Sequence, residues 1–551
     1  MGDCAVFLEI TNDNYHNTDI IGMGVYNTQV SYFVPYDLLK ENPLFLLTSN
    51  KYTYDAKKMT VALRWHNIFV KNISFDMAIA SYLLEYNTKD DIAYLANELG
   101  FDVSFREELY PKKGEIELDR IYEAAVLKAK LIYETREQLI DKLKEKDMFY
   151  LFNDIELPLS EVLGDMEYTG IRVDKDILKN MGSEIQGRID SISSEIYELA
   201  GEEFNISSPS QLGDILFDKL GLKHGKKGKT GYSTAQDVLE KLINDHPIIS
   251  KILEYRMLTK LHSTYIDGLI NSIFPDGKIH TIYTQTLTRT GRLSSIEPNL
   301  QNIPARSEYG KLIRKAFLPT SGYIVSSDYS QIELRLLAHM ANVPELIEAF
   351  NNDIDIHAKT ASDIYKCKLE DVTKEMRRNA KAVNFGIIYG ISSYGLSENI
   401  GITPKEAGKF INDYLETYPG IADYMENCKK EAHTNGYVKT LFNRRRTLPE
   451  LENKNYMIRA GAERMALNAP IQGTSADIIK KAMVEIFREM KEKKLKSKMV
   501  IQVHDELVFD TISEEFDTLK EIIKRVMENT YKLRVPLKVD IEYGTDWYDA
   551  K

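Results

Sequence analysis

Apolar and polar positions alternate in short runs at 6–10 and 22–34 and change to helical spacing at 76–84, which predicts an α/β unit in the first 135 or so residues. From about 115 to 163 the pattern is helical and charge-rich, and Tyr168-Thr-Gly-Ile-Arg-Val-Asp174 reads as a turn into a new element, with a boundary near residue 150. Helices follow between 205 and 265. Ser207-Ser208-Pro209 offers a cap and a first-turn proline ahead of Leu212, Ile215, Leu216 and Leu220, with Gly221 as the stop. Ser233 and Gln236 predict a capping box before Val238, Leu239 and Leu242. Farther on, Tyr323-Ile-Val-Ser-Ser-Asp328 reads as a strand ending in a carboxylate, followed by a helix from Ser330 with Glu333 as its capping-box partner. Residues 499–509 read as two β-runs meeting at an acidic turn, a hairpin with Asp505 and Glu506 at its apex.

One stretch has a sharper pattern. Arg377, Lys381, Phe385 and Tyr389 are spaced four apart, three times running. On a helix they form one stripe about 18 Å long, two cations and then two aromatic rings, the span from a triphosphate tail to its base. An amphipathic helix with solvated cations and core aromatics has the same pattern, and the stripe alone does not separate the two.

A chain of 551 residues with 43% apolar and 28% charged residues has room for several domains. No apolar run reaches membrane-crossing length and residues 1–4 lack a signal-peptide pattern, so a cytoplasmic protein is expected. Cys4, Cys367 and Cys428 lie far apart without ligand spacing, which predicts free thiols. The net charge of −12 argues weakly against nucleic acid, although a local cleft can be basic on an acidic protein. Two glycine motifs fail as phosphate loops. Gly22-Met-Gly24 is followed by Asn27 where a dinucleotide fingerprint needs glycine, and Gly228-Lys229-Thr230 has Lys223 where a P-loop needs its first glycine. The run from Lys223 to Lys229, including Lys226 and Lys227, is either a solvated loop or an arm on a phosphate backbone.

Acids at turns usually serve solubility. If the tips carrying Asp328 and Asp505 meet, they instead make a cage for two magnesium ions completed by water and phosphate. Such ions, roughly 3.5 to 4 Å apart, stabilise both the attacking and leaving oxygens of a phosphoryl displacement.

Asp328-Tyr-Ser-Gln-Ile-Glu-Leu-Arg335, residues 377–390 and Val503-His-Asp-Glu506 resemble, in order and spacing, the three motifs of family A DNA polymerases. Thr290-Gly-Arg-Leu-Ser-Ser295, Pro298-Asn-Leu-Gln-Asn-Ile-Pro304, Asp355-Ile-His357 and residues 463–473 match as well, and from about residue 150 onward the chain looks like the large fragment of bacterial members. The resemblance implies two-metal-ion primer extension with deoxynucleoside triphosphates on primer-template DNA. Asp328, Asp505 and the Tyr329 carbonyl would hold two Mg2+, replaceable by Mn2+, with Glu506 as an acidic neighbour. Arg377, Lys381 and His357 would bind the triphosphate and the departing pyrophosphate, and Lys381 would also protonate it. Phe385 would pack against the incoming sugar and base, Tyr389 would close the end of the pocket beside the template, Gln331 would also bind the nucleotide, and Glu333 would fill the space of a 2′-hydroxyl. Arg292, Asn299, Gln301, Asn302, Arg464, Asn468, Gln472 and His504 would line the minor groove, where donors test pair shape without reading sequence. Pro470 is expected to kink the helix carrying the last group.

The implied architecture is an α/β multidomain right hand with an N-terminal RNase H-like 3′–5′ exonuclease-like domain: 1–145 exonuclease-like, 146–285 thumb and connecting helices, 286–335 palm, 336–460 fingers and 461–551 palm again. The first part departs from editing relatives. Where they carry Asp-x-Glu the chain reads Glu9-Ile-Thr11, Lys51 replaces an asparagine four before Asp55, and Val126 stands four after Tyr122 where aspartate is needed. A domain without proofreading is expected. No 5′-nuclease region matches, so Met1 is expected to begin a truncated or natural fragment. The resemblance further implies a nucleoid-associated monomer active in replication and repair; a nuclease and a non-catalytic DNA binder are the rival readings.

Overall fold

The computed structural model describes residues 2–551 except 88, 90, 224–227, 229, 230, 305 and 306. Its N-terminal sheet contains β1 (Cys4–Ile10), β2 (Ile20–Tyr26), β3 (Ser31–Pro35), β4 (Lys51–Thr53) and β5 (Ile73–Asp76), in the order β3-β2-β1-β4-β5. β1, β2 and β3 pair antiparallel, whereas β4 and β5 join in parallel. The helix Leu118–Glu145 lies across β1 and β2 so closely that a Cβ on Gly24 would meet the Ala125 carbonyl oxygen at 2.3 Å. Close strand–helix packing therefore accounts for that glycine. The helix Met77–Leu83 begins where expected, because the Asp76 carboxylate accepts the N–H groups of Ala78 and Ile79.

A second, four-stranded sheet runs Lys498–Val503, Glu506–Thr511, Tyr323–Tyr329, Val539–Gly544. Its first two strands form the expected hairpin, in which Val503 pairs with Glu506 around the turn His504-Asp505. His504 adopts a left-handed φ of 53°, an uncommon conformation that tight two-residue turns require. Ile501, Val508 and Phe509 are buried, as are Leu519, Ile522 and Ile523 of the helix Phe516–Asn529. That helix packs on the long helix Tyr456–Glu492, which stays continuous through Pro470.

Two capping expectations are corrected. The helix after Ser233 starts at Gln236 with Ala235 as its cap residue, because the Ser233 hydroxyl accepts the Ala235 N–H at 3.4 Å and closes a turn first. The helix after Asp328 runs Ile332–Met340, and Gln331 at its entrance has a left-handed φ of 51° without a side-chain cap. Glu333 does not fold back because its two carboxylate oxygens are engaged elsewhere.

The chain forms two compact units. One comprises Met1–Thr169, Ile282–Ile296 and Val325–Glu542; the other comprises Gly170–Thr281, Glu297–Ile324 and Tyr543–Lys551. In the second, the helices Lys175–Ala200 and Pro247–Lys260 pack together, joined by Arg188 and Glu254 at 3.0 Å. Trp547 is fully buried there, edge-on to Phe317 with ring centroids 5.3 Å apart. The predicted helix after Ser208 forms with Pro209 in its first turn, and Gly221 takes the left-handed stop. All three cysteines are free thiols. Among the described residues no helix is long and apolar enough to cross a membrane.

Candidate active site

The two acidic tips meet. The strand Tyr323–Tyr329 neighbours Glu506–Thr511 in the sheet, and the Tyr329 N–H donates to the Asp505 carbonyl at 3.2 Å. The Ser326 hydroxyl donates to Glu506 Oε1 at 2.8 Å in a buried contact. Because side chains alternate along a strand, Asp328 shares a sheet face with Ser326 and its partner Glu506. Tyr329 directs its phenol inward to the Met527 carbonyl, 2.7 Å away, so only its backbone is available to a ligand. Asp505 Oδ1 accepts the Ser475 hydroxyl at 3.2 Å. Burial pushes the Asp505 carboxyl up, opposed by Arg292 and Ser475. A desolvated carboxylate with partial compensation is stabilised further by a nearby cation.

The cationic-aromatic stripe lies on the helix Lys374–Ile388, capped by Thr373 through the Met376 N–H. Arg377 and Lys381 are exposed and Phe385 is half-buried. Tyr389 falls in the C-cap, 47% exposed, so the helical stripe has three members and its fourth sits at the helix end. Gly390 makes this ending, with a φ of 63° and no room for a Cβ, which would meet Arg464 Cγ at 2.9 Å.

Arg377 Nε pairs with Asp355 Oδ2 at 2.8 Å, and the other oxygen of Asp355 caps the helix Ile356–Tyr365 through the N–H groups of His357 and Ala358. His357 is buried, its ring 5.7 Å from that of Phe385. Asn384 Nδ2 donates to His357 Nδ1 at 3.1 Å, which leaves the ring proton on Nε2. Burial lowers this imidazole to about 4, with Arg377 and Lys381 pushing the same way and Asp355 opposing. At neutral pH the His357 ring is thus uncharged, with its Nε2–H as a donor.

Glu333 ties this helix to the acids. Its Oε2 accepts the Tyr389 hydroxyl at 2.8 Å and its Oε1 accepts Arg292 at 2.7 Å. Burial raises the Glu333 carboxyl, and Tyr389 and Arg292 oppose that shift. The Tyr389 phenol is pushed up to about 12 by burial and by Glu333. Gln331 is exposed at the neighbouring left-handed position.

The long helix links the two halves of the site. Arg464 is exposed beside Gly390, Asn468 Nδ2 reaches the Ile388 carbonyl at 3.5 Å, Gln472 is half-buried, and Ser475 reaches Asp505. Ser475 and Ser326 escaped the sequence reading; continuing the 464, 468, 472 stripe by three would have found Ser475. His504 is exposed at the hairpin turn. Asn299, Gln301 and Asn302 belong to the second compact unit, where the Asn299 side chain accepts the Gln301 N–H at 2.9 Å and the Asn302 carbonyl accepts the Tyr265 hydroxyl at 2.6 Å. Lys226, Lys227 and Lys229 lie outside the described residues.

In the N-terminal sheet, Glu9 is buried and paired with Lys128 Nζ at 2.7 Å, with the Tyr110 hydroxyl 3.1 Å from its other oxygen. Asp55 serves as a helix cap, accepting the Lys58 N–H at 3.0 Å. The Lys51 ammonium is fully buried and donates to the carbonyls of Ser49 and Phe45. Among the described residues no three or more His, Cys, Asp or Glu side chains gather into a metal-binding group.

The model of DNA polymerase family A matches residues 175–549, and that of the DNA polymerase I ribonuclease H-like domain matches 6–135. DNA polymerase I of Bacillus subtilis (strain 168) is 49% identical over 560 residues, and that of Geobacillus stearothermophilus is 46% identical over 560. Each alignment covers 99% of this chain, which spans 64% of the length of either relative. Among solved structures, the POL domain of Pol1 from M. smegmatis, in complex with DNA primer-template and dNTP, superimposes with a TM-score of 0.90 at 34% identity, covering 100% of this chain and 96% of that one.

Proposed function

Because the chain belongs to DNA polymerase family A and has that family's fold with an RNase H-like N-terminal domain, we propose that it extends a primer 3′-hydroxyl with deoxynucleotides on a DNA template, releases pyrophosphate, and fills gaps in replication and repair. The observation that carries this reading is the bond from the Tyr329 N–H to the Asp505 carbonyl, 3.2 Å, which sets two carboxylate-bearing tips side by side. The M. smegmatis complex supports primer-template DNA and dNTP as the partners.

Two aspartates and a backbone carbonyl form a hard oxygen donor set that fits Mg2+, with Mn2+ able to replace it. Asp328, Asp505 and the Tyr329 carbonyl would hold the two ions, which when bound supply Lewis-acid stabilisation of phosphoryl charge. Arg377 exchanges Asp355 for triphosphate oxygens, and Lys381 adds a second cation and a proton for the pyrophosphate. His357 contributes its neutral Nε2–H. Phe385 packs on the incoming sugar and base, Tyr389 and Gln331 border that pocket, and Glu333 takes the volume a 2′-hydroxyl needs. Arg292, Arg464, Asn468, Gln472 and His504 present donors to the duplex minor groove, and Asn299, Gln301 and Asn302, on the second compact unit, are read as DNA-binding residues. Glu506 is an acidic neighbour held in place by Ser326. We read 1–145 as the exonuclease-like domain, 146–285 as thumb, 286–335 and 461–551 as palm, and 336–460 as fingers, in a cytoplasmic, nucleoid-associated monomer. The pairing of Glu9 with Lys128 and the capping role of Asp55 support the absence of proofreading.

A primer-extension assay with magnesium and labelled deoxynucleotides tests this. Extension by the wild type, lost in Asp328→Ala and in Asp505→Ala while duplex affinity is retained, is the expected result. Shortening of the primer points to a nuclease, and retention of DNA without either change points to a binder; both outcomes overturn the reading.

A further inference from the structure

The hairpin Lys498–Val503/Glu506–Thr511 is the edge of its sheet, since among the described residues Lys498–Val503 has a strand on one side only. Gln502 faces Leu507 next to the turn-closing pair Val503 and Glu506, a position whose N–H points away from the partner strand. An orphan N–H so near Asp505 needs an acceptor. It finds the hydroxyl of Tyr283 at 3.1 Å, on a buried side chain from the strand Ile282–Thr284. The Gln502 side chain also donates to the His504 carbonyl at 2.5 Å, bracing the residue that has the left-handed φ. One residue thus supports the turn from inside while Tyr283 holds that residue from outside.

Tyr283 is held in turn. Its backbone N–H donates to Glu167 Oε1 at 2.8 Å, and Glu167 is a fully buried carboxylate on the helix Leu157–Thr169. Such a group needs paired charge. Lys57 Nζ lies 2.7 Å from Oε1, and the Tyr15 hydroxyl donates to Oε2 at 2.7 Å. Lys57 lies on the helix Ala56–Trp65 and Tyr15 follows β1, so both come from the RNase H-like N-terminal domain. Lys57 and Tyr15 also hydrogen-bond each other, which closes the network.

We propose that Lys57, Tyr15, Glu167 and Tyr283 are positioning residues for the Asp505 turn, so that the N-terminal domain serves the polymerase site as a buried polar brace. This rests on the polymerase reading above. None of the four touches substrate; they act through Gln502 on the backbone that sets the direction of Asp505. Removing a supporting hydrogen bond of this kind lowers metal affinity or activity by about 10-fold to 100-fold.

The test uses the full chain with primer-template DNA, and measures kcat, KM for dNTP, duplex Kd and the Mg2+ concentration giving half-maximal rate. Tyr283→Phe keeps the ring and removes the acceptor. It is expected to lower kcat by about tenfold and raise the half-maximal Mg2+ severalfold, with KM and duplex Kd within about twofold. Lys57→Met is expected to act in the same direction, and Lys57→Arg to recover the kcat and Mg2+ response. Hydrogen exchange in Lys57→Met, expected to quicken at 498–506 while the other palm strands stay protected, covers the case in which Tyr283→Phe does not fold. Folded Tyr283→Phe with unchanged kcat and Mg2+ response overturns the proposal, as does unaltered exchange at 498–506 in Lys57→Met. A wild type that extends no primer overturns the polymerase reading instead, so the two failures are distinguishable.

Discussion

Phe385 lays its ring beside that of buried His357 and carries no hydroxyl. A chain-terminating dideoxynucleotide lacks the 3′-oxygen, and a phenol at this position is expected to replace the missing group. Phe385→Tyr should therefore raise dideoxynucleotide incorporation relative to deoxynucleotide by about tenfold, the worth of one hydrogen bond, read by competition at a single template position. His357 itself predicts a pH effect. Its folded value of about 4 lies below the ordinary 6.5, so between those values the unfolded chain binds a proton that the folded one excludes. Stability is complete above the upper value and is lost as pH falls through the window. From pH 7 to 5 the wild type should lose about 2 kcal/mol more than His357→Gln, measured by denaturant unfolding at each pH. Burial set this value, and the Asp355-Ile-His357 motif carried no sign of it.

Among elements, the hairpin Tyr437–Lys439/Arg445–Thr447 is joined to the long helix by charge. Arg444, 5% exposed, pairs with Asp477 Oδ1 at 2.7 Å and with Glu156, while Lys480 holds Glu156 Oε1 at 2.7 Å. Burial raises Glu156, but Lys480 and Arg444 outweigh it and hold the carboxyl down at about 2. Removing one cation leaves two buried carboxylates facing one lysine. Arg444→Met is therefore expected to cost about 3 to 5 kcal/mol, visible as a lower guanidinium midpoint with an unchanged slope. The hairpin at 499–509 and the helices after Asp76 and Ser208 were legible from spacing and turn residues, because those signals act within a few residues. The boxes assigned to Ser233 and Glu333 failed for one shared reason: another partner lay within reach, a nearer N–H for Ser233, and Arg292 and Tyr389 for Glu333.

Across the molecule, the RNase H-like N-terminal domain is packed into the same compact unit as Asp505 and the helix Lys374–Ile388. Glu9 is paired with Lys128, and Val126 stands where the family resemblance leads one to expect an acid. The Asp505→Ala variant is expected to show no metal-dependent trimming of a single-stranded 3′ end. Val126→Asp should not restore trimming by itself, because Lys128 still occupies Glu9; trimming by either variant in a gel assay would contradict this.

The polypeptide order by itself determined the strand-tip acid at 328, the acidic turn at 505 and the four-residue spacing from Arg377. Each depends on spacing along the chain or on residue identity, both of which are local. Tertiary structure decided which groups meet: Tyr329 with Asp505, Glu333 with Tyr389 and Arg292, Glu167 with Lys57 and Tyr283. Those partners lie far apart in sequence, and nothing local selects them. Burial selects them, because a polar group removed from water must find its hydrogen bond in whichever remote segment packing brings alongside.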